Sequence, residues 1–136
     1  MIPGRRPKPK TGLARLPRHE RGVMNPLERR FAAWLDEQKL AGIVERYAFE
    51  VDKIRLARLC FYHPDFTVRL VSGEVVYYEV KGGLWTEHGK VKVKVAAALQ
   101  QRRIVVARAK AKRDGGGWTF LEFREGFDRR QKELIA

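Results

Sequence analysis

Glu79 and Lys81 close the run Val75-Val76-Tyr77-Tyr78-Glu79-Val80-Lys81, whose Val and Tyr content predicts a β-strand. Residues two apart on a strand share a face, so this carboxylate and this ammonium emerge side by side. Asp65 can join them. It starts the preceding alternation Phe66, Val68, Leu70, and the turn at Ser72-Gly73 reverses the chain. Asp65 and Glu79 stand about seven residues either side of that turn, so antiparallel pairing sets them next to each other. Two converging carboxylates offer hard oxygen ligands to magnesium or manganese, and such an ion can hold a phosphate and acidify a water. Lys81 adds a compact cation able to orient that water, accept its proton or stabilise charge on the phosphorane. The competing reading of Glu79 and Lys81 is an exposed ion pair on a strand surface.

Pro64-Asp65 followed by Glu79-Val80-Lys81 on the next strand resembles the PD-(D/E)XK nuclease superfamily. Tyr62-His63-Pro64-Asp65-Phe66, Glu79-Val80-Lys81-Gly82, Trp85 and the Lys90-Val91-Lys92-Val93-Lys94 run are most similar to small nuclease-like proteins of phages and prophages. The similarity spans Asn25 to Lys94, roughly half the chain. It implies a restriction-endonuclease-like αβββαβ core and phosphodiester hydrolysis leaving a 5′-phosphate. It implies metal ligation by Asp65, Glu79 and Val80, with Lys81 and a first-helix glutamate, Glu28, also catalytic. Glu28 stands three residues after Asn25 and so equally suits a helix-capping role. A cytoplasmic setting in the host cell, and a part in phage DNA recombination or processing, follow from the resemblance alone.

The rest of the composition fits a polyanionic partner. The chain has 136 residues and a formal net charge of +13, far beyond what solubility needs, which points to nucleic acid or an anionic surface. That length supports one core. No apolar run approaches the roughly 20 residues of a membrane span, and the basic N-terminus lacks a signal's apolar stretch, so an intracellular protein is expected. One cysteine, Cys60, excludes an internal disulfide, and neither Cys60 nor His19, His63 and His88 have zinc-ligand spacing. His63 reads as a loop residue close to the phosphate.

The elements that must position these residues follow from pattern. Residues 1–22 carry four prolines and seven Lys or Arg against one acid, an extended basic tail that can track phosphates. A domain over 23–136 opens at Asn25-Pro26-Leu27-Glu28, with an N-cap, a proline at the first helical position and an acid at the third. Leu27, Phe31, Trp34, Leu35 and Leu40 form the apolar stripe of this helix, and Gly42 ends it. Tyr47, Phe49 and Val51 alternate as a strand, 53–61 reads as a second strand or hairpin arm, and the strands of Asp65 and Glu79 complete a meander. Residues 90–99 fit either a strand alternation or a helical stripe of Val91, Val95, Ala98 and Leu99, and helix is the reading adopted. Ile104–Ala107 and Trp118–Phe123 form a hairpin around a basic loop, and Arg129–Lys132 a short terminal helix. The fold class is α/β, a mixed α+β sheet.

Between Lys90 and Arg113 lie nine basic residues and no acidic one. Lys90, Lys92, Lys94, Arg102, Arg103, Lys110, Lys112 and Arg113 are the expected phosphate contacts, and Trp85, between Gly83 and Gly89, can stack on a base or pack on the core. Backbone contacts of this kind favour recognition of DNA shape, such as flaps and junctions, over base sequence. Cutting branched DNA calls for two active sites, hence a possible homodimer. The alternatives are a non-catalytic nucleic-acid-binding protein and an RNA-binding protein.

Overall fold

The computed structural model describes residues 20–99, 103–124 and 127–131. Most of the basic tail (1–19), Arg102 and residues 132–136, Lys132 among them, lie outside these. Helix α1 spans Pro26–Leu40 and starts as its residue types dictate. Asn25 accepts the Glu28 N–H through Oδ1 at 2.8 Å, and Glu28 Oε2 accepts the Asn25 N–H at 2.8 Å. This reciprocal box satisfies two donors that a helix start would leave unpaired. Phe31 and Leu35 of the stripe are fully buried; Leu40, assigned to the same stripe, is 91% exposed at the helix end.

Strands β1 (Val44–Phe49), β4 (Phe66–Leu70) and β5 (Val75–Lys81) form an antiparallel meander. Between β1 and β4 the chain makes a separate two-stranded hairpin, β2 (Ile54–Ala57) and β3 (Cys60–Tyr62). Helix α2 (Glu87–Leu99) then crosses over so that β6 (Arg103–Ala109) pairs parallel to β5, and β7 (Trp118–Arg124) and β8 (Phe127–Gln131) follow antiparallel. The sheet order is β1-β4-β5-β6-β7-β8. The mixed α+β class, the helix over 90–99 and the β6–β7 hairpin all match expectation. The terminal helix does not: Phe127–Gln131 is an edge strand, because pairing with β7 satisfies its backbone where its charged pattern builds no apolar helix stripe.

The helices cover opposite faces. Phe31 sits at the centre of an aromatic cluster, 5.3 Å from Trp34 and Phe66, 5.2 Å from Tyr78 and 5.1 Å from Trp118 between ring centroids. Val68, Val76, Val80 and Val105 complete this α1 face. On the other face Tyr77, Ile104, Val106 and Phe123 pack with Val93, Ala96 and Ala97 of α2 and with Ile54 and Tyr62 of the hairpin. A strand covered on both sides reads as a continuous apolar run rather than an alternation, which explains the sequence of β5. Its odd-numbered residues look towards α2, and that periodicity aims Glu79 and Lys81 to one side.

Candidate active site

Asp65 lies one residue before β4 and accepts the main-chain N–H of Val80 through Oδ2 at 2.7 Å. The β4–β5 register, Phe66 opposite Tyr78, carries Asp65 opposite Glu79 one step further. The Asp65 side chain takes the place of a backbone acceptor for the Val80 N–H, while Pro64, without an N–H, can give the ladder no donor at that point. In an extended strand a residue's N–H and C=O point to the same side, so the Val80 carbonyl opens towards Asp65 as well.

Glu79 and Lys81 meet as expected, with Lys81 Nζ 3.0 Å from Glu79 Oε1. The pair is not a solvated one. Glu79 is 9% exposed, and Tyr62 of the hairpin donates its hydroxyl to Glu79 Oε2 at 2.9 Å. Burial, then the charges of Glu79 and Asp65, push the Tyr62 phenol well above its ordinary range, so it stays a donor.

Two further carboxylates reach Asp65. Oxygens of Glu28, Glu50 and Asp65 lie within 4.8 Å of one another. The capping box orients the buried carboxylate of Glu28, and that carboxylate also lies beside Asp65. Glu50 was not legible in the sequence. It follows β1 at φ 50°, the left-handed region, donates its N–H to the Asp65 carbonyl at 2.8 Å and accepts the Gly22 N–H through Oε2 at 2.7 Å. A glutamate closing an alternating strand looks like any exposed strand end, and only the unusual backbone turns it inwards.

The crowding has an electrostatic consequence. Burial first, then Glu79, and more weakly Glu28, push the Asp65 carboxyl up to about 8, against the lowering effect of the Val80 N–H and Lys81. Hard oxygens packed so that one of them resists ionisation form a donor set suited to a divalent cation, which would relieve that repulsion. Glu79 is held by Tyr62 and Lys81, whereas the oxygens that cluster with Asp65 are those of Glu28 and Glu50.

The basic residues divide by position. Because β5 and β6 run parallel, Lys81 opposite Arg108, the turn carrying Lys110, Lys112 and Arg113 lies at the carboxylate end of the sheet, exposed. Lys92 is half-buried; desolvation first, then the charges of Arg21, Lys53 and Lys92, push the His63 imidazole below its ordinary range. Lys94 is exposed on the same helix. Lys90 is tied locally, 3.0 Å from Glu87 Oε1 and 5.8 Å from the centre of the Trp85 ring.

Two assignments are corrected. Arg103 sits opposite Val76, at the other end of the strands, and its guanidinium bonds the fully buried Glu122 at 2.5 Å and Glu74 at 3.3 Å. It neutralises a buried carboxylate rather than facing a phosphate near the site. Trp85 is 7% exposed and packs edge-on against Phe123 at 5.9 Å, because the loop folds back under α2 where Thr86 caps Gly89 at 3.1 Å. It cannot offer its face to a base. Gly82 packs closely against α1: a Cβ there would lie 2.7 Å from Leu27 Cδ2, so a side chain at the strand end would push the Leu27 tip aside. Arg108 fixes the same loop by donating to the Gly83 carbonyl at 2.9 Å. No family model, curated protein or solved structure matches the chain.

Proposed function

We propose that the protein is a metal-dependent DNA endonuclease of the PD-(D/E)XK kind. The observation that carries this reading is the convergence of Asp65, Glu79, Glu28 and Glu50 with Lys81 at one end of the sheet in a chain of net charge +13. Buried acids are costly unless something compensates them, and a chain this basic has no electrostatic need to collect its carboxylates in one place. The element order α1, β1, β4, β5, α2, β6, with the acids at the strand ends, agrees with the core that the resemblance implies.

Asp65, Glu28, Glu50 and the Val80 carbonyl would hold magnesium or manganese, which when bound neutralises the scissile phosphate and acidifies the attacking water. The chain's own residues do the rest. Glu79, fixed by Tyr62, aims Lys81 Nζ towards the cluster, where the ammonium orients water and stabilises charge that develops on the phosphate. Lys92 and the turn of Lys110, Lys112 and Arg113 hold flanking phosphates and steer the substrate in.

The test is cleavage of labelled linear, flapped and four-way-junction DNA with magnesium, manganese or chelator, comparing native protein with Asp65→Asn and Lys81→Ala. Metal-dependent cutting by the native protein that both variants lose supports the proposal. Tight binding without cutting under either metal would instead identify a non-catalytic nucleic-acid-binding protein.

A further inference from the structure

The α2 face of the sheet is covered over β5 to β7, while over β1 and β4 it opens into a groove of about 330 Å³ lined by Arg46, Tyr47, Ala48, Thr67, Arg69 and Val75. Alternation puts Ala48 and Arg46 in one row along β1, and Thr67 and Arg69 in a parallel row along β4 that Asp65 precedes. The β4 row thus leads from the groove to Asp65. Its far end lies four residues from Asp65, about 13 Å at the strand rise.

That far end holds an unfavourable arrangement. Arg46 and Arg69 are direct cross-strand partners, and like charges placed opposite each other destabilise a sheet. Glu45 takes only the Nε of Arg69, at 2.9 Å, and Arg46 makes no ion pair with a described residue. An anion lying between the two guanidinium groups removes the repulsion. Beside the arginines Ala48 and Val75 supply a small apolar floor, Val75 being the β5 partner of Arg69, and the Thr67 hydroxyl donates to Asp52.

We propose that this groove binds one nucleotide of a single-stranded DNA segment flanking the cut, its phosphate on Arg46 and Arg69 and its base over Ala48 and Val75. The proposal rests on the nuclease reading for the position of the cut and goes beyond it in naming the substrate class. A groove near the lower end of the ~300–1,000 Å³ range of small-molecule pockets admits an unpaired nucleotide and not a duplex. Guanidinium planes also stack on unpaired bases, which a duplex hides. Flapped DNA, with its free arm, then fits better than an uninterrupted helix.

The test is fluorescence anisotropy of labelled single-stranded and duplex oligonucleotides of equal length in excess chelator, so that the result does not depend on cleavage. Native protein is expected to bind the single strand at least several-fold more tightly. Arg46→Gln with Arg69→Gln should lower single-strand affinity about tenfold and reduce its salt slope by about 0.7, the value for one phosphate contact on a single strand, while leaving duplex affinity nearly unchanged. Arg30→Gln with Lys39→Gln, which removes the same charge from the α1 side, should have little effect. Equal affinity of native protein for both DNA forms would overturn the proposal, as would equal losses from the two double variants or no loss from the first. Circular dichroism confirms folding, and the metal-dependent cleavage assay separately decides the nuclease reading.

Discussion

The Asp65 carboxylate accepts the N–H of Val80 at 2.7 Å, so the acid of the Pro64-Asp65 pair is bonded to the middle residue of Glu79-Val80-Lys81. This contact joins the start of β4 to the end of β5 and holds Asp65 beside Glu79, although their charges repel. The cluster is consequently expected to respond to protonation and to small changes in packing.

Stability should depend on pH through Asp65. Its carboxyl releases a proton near the ordinary 3.8 when unfolded but is pushed up to about 8 when folded. Between those values the folded state binds more protons, so stability falls as pH rises from about 4 to about 8, and this group adds no slope above that. Asp65→Asn, which still accepts the Val80 N–H, should remove that slope. Thermal unfolding of both proteins from pH 5 to 9 in chelator measures it, and the variant's advantage should widen up to about pH 8. Parallel curves would mean that Asp65 is not held protonated.

Metal binding should be linked to the same proton. Magnesium or manganese is expected to raise the unfolding temperature more at pH 8.5 than at pH 6, because below about 8 the ion must displace the Asp65 proton. Calorimetry in buffers of differing ionisation enthalpy would count the protons released. Glu50→Gln should weaken binding, and an unaltered affinity in that variant would remove Glu50 from the ligand set.

Tyr62→Phe leaves Glu79 Oε2 buried without its donor. The expected cost is roughly 1.5–3 kcal/mol in urea unfolding, the range for hydrogen bonds to charged groups. Cleavage should fall as well, since Glu79 then no longer fixes Lys81. A stable, inactive variant would assign Tyr62 to positioning alone.

Gly82 and Leu27 should be coupled. Gly82→Val forces Leu27 aside and is expected to cost about 1–3 kcal/mol as overpacking, moving the start of α1 and with it Glu28. Leu27→Ala in the same chain should restore part of both stability and activity, and a double-mutant cycle reads the interaction directly. Additive effects would show that the close approach does not matter.

Arg103 should prove structural. Arg103→Ala removes the guanidinium from the buried Glu122 and is expected to destabilise the fold by a few kcal/mol at most, about 3. The salt dependence of DNA binding should not change, whereas Lys92→Ala should reduce the slope by about one. A reduced slope in Arg103→Ala would return this residue to the nucleic-acid interface.

Local pattern and order along the chain determined much of this protein. The Asn25-Pro26-Glu28 start of α1, the alternation that puts Glu79 and Lys81 on one face, and the turn that returns Asp65 to Glu79 all depend on residues close in sequence, whose geometry is set by backbone periodicity and hydrogen bonding. Only the tertiary structure decided which side chains distant in sequence share that space. It brought in Glu50 through a left-handed backbone, used Tyr62 from an inserted hairpin to hold Glu79, buried Trp85 under α2, sent Arg103 to the opposite end of the sheet and made a strand of Phe127–Gln131. Those outcomes turn on which elements cover which sheet face and on the cost of leaving a buried charge or backbone group unpaired, and neither is encoded in spacing along the chain.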